Sequence, residues 1–70
     1  MTNQNYQKLK IRINNGDTIS PKELAELKKN ADFGIQKIDQ LTISGKIAEA
    51  IHLRPLVLEY KELIANAIVK

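Results

Sequence analysis

The sequence predicts an all-α fold, a small helical bundle of three to five helices in one domain over residues 1–70. Three observations predict it. Apolar residues recur at helical spacing from Leu24 to Leu41, Ser20-Pro21-Lys22-Glu23 is a complete helix-start signal, and sixteen of the 27 residues from Ile43 to Val69 are apolar. No internal repeat, low-complexity tract or linker divides the chain.

In the first segment, Tyr6, Leu9 and Ile13 fit a helix over residues 4–14 that Gly16 ends as a left-handed cap. Leu9, Ile11 and Ile13 also alternate with Lys8, Lys10 and Arg12 as a strand would, and Asn14-Asn15-Gly16-Asp17 suits a hairpin turn. The helix is the preferred reading, because only Thr18 and Ile19 remain to pair before the next helix begins.

That helix begins at Pro21, with Ser20 as N-cap and Glu23 closing a capping box. Leu24, Leu27, Ala31, Ile35, Ile38 and Leu41 then form one stripe of a 3.6-residue repeat. Local chemistry competes with that periodicity. Lys28-Lys29-Asn30 reads as a helix end, Asp32 as a new cap, and Gly34 costs about 1 kcal/mol inside a helix. Two readings stay open: one long helix, or a break near residues 30–33 that gives a helix-turn-helix outline.

Thr42-Ile43-Ser44-Gly45 reads as a connector, with Ser44 as N-cap of a short helix over 45–53; Pro55 then starts a last helix over 55–69. The expected core is Leu24, Leu27, Ile35, Ile38, Ile47, Ile51, Leu56, Tyr60, Leu63 and Ile64. On the last helix Leu63, Leu56, Ala67, Tyr60, Ile64, Val57 and Ile68 share a core-facing arc, and Leu58, Ala65 and Val69 fall opposite. That second stripe either packs on another helix or forms a protein interface with a partner or a second copy.

Composition narrows the chemistry. A 70-residue chain buries only roughly 60% of its unfolded surface, too little to close a core and wall a deep substrate cleft as well, so the sequence argues against an enzyme. The absence of cysteine removes thiolate metal sites, cysteine nucleophiles and disulfides, and it fits a reducing compartment. The polar start Met1-Thr2-Asn3-Gln4-Asn5 and the lack of any long apolar run predict a cytoplasmic protein with no membrane partner.

No catalytic, cofactor-binding or metal residue is assigned, and no small-molecule substrate is expected. His52 is the single histidine and has no second histidine or cysteine to share a metal. Ser20 and Ser44 are explained as caps. Glu23/Glu26 and Glu59/Glu62, each one helical turn apart, read as solvated faces. Gly16, Gly34 and Gly45 are too dispersed for a phosphate loop.

The formal charge is +3, and all of the surplus sits in residues 1–16 as Lys8, Lys10 and Arg12, on a body whose eight bases and eight acids balance. Those three side chains suit an acidic partner or a nucleic acid. If the second helix broke near Asn30, Gln36, Lys37 and Gln40 would face DNA from a reading helix and the basic segment would serve as its arm. Asp39 on the same segment and the neutral body count against DNA. The leading expectation is therefore a small non-enzymatic protein–protein interaction module, a regulator or assembly factor, acting through its apolar C-terminal helices and capable of homodimerising. The alternative is helix-turn-helix-like DNA binding through residues 33–41, with the basic N-terminal segment as arm.

Overall fold

A computed structural model describes residues 3–70; Met1 and Thr2 of the polar start lie outside the described residues. Among the described residues the fold is all-α, with three helices: α1 (Asn3–Asn14), α2 (Pro21–Ile43) and α3 (Ile47–Asn66). Two short strands, β1 (Thr18–Ile19) and β2 (Ile68–Val69), pair in parallel and bring the far ends of the chain together.

Helix boundaries follow local chemistry. At the end of α1, Gly16 takes φ +81°, and the Asp17 N–H reaches back to the Arg12 carbonyl at 2.9 Å. This satisfies a carbonyl that the helix end would otherwise leave bare. At the start of α2 the Glu23 N–H donates to Ser20 Oγ (3.1 Å) and the Ser20 N–H donates to Glu23 Oε1 (2.9 Å), with Pro21 behind the cap. Both capping-box bonds expected from the sequence are made.

Of the two readings open for this segment, the one long helix that the apolar periodicity indicates is the one formed: α2 runs unbroken through Asn30 and Gly34, with no break near residues 30–33. Gly34 has a packing reason to be there. A Cβ at this position would stand 2.7 Å from Val57 Cγ2, so the glycine lets α2 and α3 approach closely. That approach offsets its poor helix propensity.

Ser44 is the C-cap of α2, not the expected N-cap of a new helix. Gly45 at φ +78° turns the chain, and the Lys46 N–H closes the motif on the Leu41 carbonyl at 2.8 Å. The expected pair of helices over 45–53 and 55–69 is one helix, α3, with Pro55 inside it. Proline removes the donor that would reach the Ile51 carbonyl, but Ile51 and Pro55 are both exposed, so water can take that carbonyl. The helix also stops at Asn66, because Ile68–Val69 leave it to pair with β1, and the Lys70 N–H bonds the Ile19 carbonyl at 3.1 Å.

The core lies at one end of the molecule. Tyr6, Leu9 and Ile13 of α1, Ile19 of β1, Leu27 of α2 and Leu63 of α3 form a buried cluster, with Leu24, Tyr60, Ile64 and Ala67 packed around it. Toward the α2–α3 turn the buried residues are the seam Ala31, Ala50 and Val57. Three expected core residues are instead exposed: Ile47 (49%), Ile51 (53%) and Leu56 (41%); Ile35 and Ile38 are half-buried. The reason is length. α2 and α3 extend well beyond α1, whose 12 residues cover only the base of a molecule measuring 41 × 20 × 17 Å.

Candidate functional site

The antiparallel register of the hairpin decides which side chains share a face. Gly34 lies against Val57, so residues that follow Gly34 pair with residues that precede Val57. Along α3, Ile47, Ile51, Arg54, Leu58, Lys61 and Ala65 recur at alternating spacings of four and three, forming one heptad stripe. Pro55 does not interrupt the stripe because it does not interrupt the helix.

This stripe borders a groove between the two helices, lined by Ile35, Ile38, Asp39, Arg54, Val57, Leu58 and Lys61, with a volume of about 220 Å³. Its floor is aliphatic and its edges carry two cations and one carboxylate. Helix α1 covers a different side. Leu63, which packs in the cluster with Tyr6, Leu9 and Ile13, is turned about 140° around α3 from Leu58 at 100° per residue. Leu58 is left 60% exposed.

Of the three residues read from the sequence as an interface, Leu58 and Ala65 stand together on this stripe, and both are exposed. Val69 is exposed too, but it lies in β2 and so leaves the helical stripe that its spacing suggested. The uninterrupted α3 lengthens the stripe the other way, through Ile51 and Ile47, which sequence reasoning had placed in the core. Phe33, 69% exposed on α2, is a further apolar side chain that the periodicity did not single out.

The basic segment is largely committed to the fold. Lys10 pairs with Glu59, and Arg12 donates to Glu23 Oε2 and to the Thr18 carbonyl, both at 2.8 Å, tying α1 to the start of α2. Lys8 lies beside Leu9, Lys22 and Glu26 in the shallow groove between α1 and α2. Gln36, Lys37 and Gln40 are exposed on α2, and Gln36 is roughly 20 Å further along that helix than Lys22 at 1.5 Å per residue. The structure therefore does not gather the six polar residues into one surface, and the unbroken α2 provides no turn to present a reading helix.

Electrostatics at the base are structural. The Tyr6 hydroxyl donates to Glu59 Oε1 at 2.8 Å, and its ring stands 4.9 Å from that of Tyr60 at 58°. Burial and the Glu59 bond push the Tyr6 hydroxyl well above the usual phenol range; burial raises Tyr60 as well. Hydrogen bonds from Lys10 and Tyr6 hold the Glu59 carboxyl below the usual range, and the Ser20 backbone N–H, with Arg12, does the same for Glu23. Each of these groups is engaged in joining elements. Among the described residues no group of three or more His, Asp or Glu is placed to hold a metal ion, and no helix is long and apolar enough to cross a membrane.

Comparison with protein-family models, with curated proteins and with solved structures finds no match to this chain.

Proposed function

We propose that this chain is a small non-enzymatic protein–protein interaction module, a regulator or assembly factor, that binds through the face of the α2–α3 hairpin left uncovered by α1. The observation that carries the reading is the stripe Ile47, Ile51, Leu58 and Ala65 beside the aliphatic groove of Ile35, Ile38 and Val57. Large aliphatic side chains aligned on one face of a small protein mark a surface meant to be covered, whereas scattered ones need no explanation. At the base Lys10, Arg12, Glu23 and Glu59 are engaged in ion pairs that tie helices together.

A photoreactive amino acid placed at Leu58, and separately at Gln36 on another side of the hairpin, tests the reading in the cell that makes the protein. Protein adducts are expected from position 58 and not from position 36. Adducts from neither position, or from position 36 alone, would remove the proposed surface.

A further inference from the structure

The end of α1 carries reactive chemistry that has no part in the α2–α3 face. We infer that Asn15 is a site of covalent self-modification, in which the Gly16 backbone nitrogen closes on the Asn15 side chain when the α1 cap opens, and that the isoaspartyl product prevents the cap from re-forming. Asn15 is the one asparagine in the chain followed by glycine. Both residues are exposed, and even a Cβ on Gly16 would meet nothing within 4 Å, so neither a side chain nor a neighbouring element obstructs the nitrogen.

The reaction needs no reagent beyond water. The Gly16 N–H gives its proton to solvent and the nitrogen bonds to Asn15 Cγ; the Cγ–Nδ2 bond breaks, and Nδ2 takes up a proton and leaves as ammonia. Water then opens the cyclic imide. Cleavage at Cγ leaves an aspartate. Cleavage at the Asn15 backbone carbonyl leaves an isoaspartate, whose chain runs through Cβ and Cγ and whose former carbonyl is a free carboxylate. One water is consumed, one ammonia is released, and nothing is oxidised or reduced.

In the closed cap the attacking nitrogen is committed elsewhere. The Gly16 N–H donates to the Ile13 carbonyl at 3.0 Å, and the Asp17 N–H donates to the Arg12 carbonyl at 2.9 Å. Residues 14–18 are exposed between the buried anchors Ile13 and Ile19, so this turn opens by itself while the base stays packed. Isoaspartate adds one carbon to the backbone between residues 15 and 16, inside the rings that both cap bonds close. The Arg12 and Ile13 carbonyls then lose their partners at this register. Strand β1, which follows directly, is displaced from Arg12, whose Nη2 donates to the Thr18 carbonyl at 2.8 Å, and from the cluster in which Ile19 is buried.

Prolonged incubation of the full folded chain at mildly alkaline pH, read by peptide mass mapping, tests the inference. Asn15 is expected to convert, with isoaspartate as the main product, while Asn14 beside it, followed by a residue with a side chain, does not. The folded chain is expected to react more slowly than the urea-unfolded chain by about the factor that protects the Asp17 amide from hydrogen exchange, since both report the opening of one cap. The isolated isoaspartyl form is expected to melt at a lower temperature than the unmodified protein. Asn15→Asp, which brings the charge without the extra carbon, is expected to move the midpoint only by the small shift of a carboxylate at a helix C-terminus. No conversion of Asn15 in the folded chain, conversion as fast as in the unfolded chain, or an isoaspartyl form that melts where Asn15→Asp does would each overturn the inference.

Discussion

The two ends of this molecule solve the problem of burial differently. At the base, α1, β1 and the ends of α2 and α3 enclose Ile19 and Leu27, both at 0% exposure. At the turn end, two helices meet along a seam of small residues, Ala31, Gly34 and Ala50, and leave Ile47 and Ile51 half in water. A pair of helices alone can cover only the facing stripe of each, so the further aliphatics on this two-helix arm stay in contact with solvent. The base encloses its aliphatic side chains, whereas the arm leaves much of its aliphatic surface exposed.

The largest expected effect is a truncation in the base. Leu27→Ala should cost about 2–5 kcal/mol, since it opens a cavity among residues that cannot collapse into it. Leu58→Ala on the arm should change the stability of dilute protein by less than about 0.5 kcal/mol. Thermal melts of the two variants side by side check the contrast; similar losses would mean that the arm is as closed as the base.

Gly34→Ala sharpens the boundary between the two regions. In an isolated helix it would stabilise by about 1 kcal/mol; here the added methyl meets Val57, and overpacking of about 1–3 kcal/mol should reverse the sign. A chemical denaturation midpoint below that of the unmodified protein is expected. A higher midpoint would show that the helices can part without loss.

The smallest effect is acid sensitivity confined to the base. Glu23 and Glu59 have folded carboxyl groups held below the usual range, so their contribution is fully present above the unfolded value of about 4.3 and is lost as pH falls through the folded values. Both are partly solvated, which keeps the effect modest. Glu59→Gln should flatten the acid limb of stability against pH, whereas substitutions on the arm should leave its shape unchanged.

Much of the fold was legible because it is encoded locally. The capping box at Ser20, the left-handed turn at Gly16 and the apolar spacing of α1 each depend on a few adjacent residues. What escaped depends on neighbours far along the chain. Gly34 reads as a weakness until Val57 is known to lie against it, and Pro55 reads as a breaker until its face is known to be solvated. Ile68–Val69 read as helix because their pairing with Thr18–Ile19 leaves no local signature. The exposed stripe was seen in part for the same reason: periodicity finds aliphatic stripes on α3, but only the position of α1 tells which of them is covered and which, including Ile47 and Ile51, is left bare.

Amide hydrogen exchange, followed residue by residue in dilute solution, tests most directly the contrast between a closed base and an open arm. In dilute solution the amides around Leu9, Leu27 and Leu63 should open only with global unfolding, while those around Ile38 and Ile51 exchange faster by local opening. Uniform slow exchange along α2 and α3 in dilute solution would contradict the account, because the arm would then be as closed as the base.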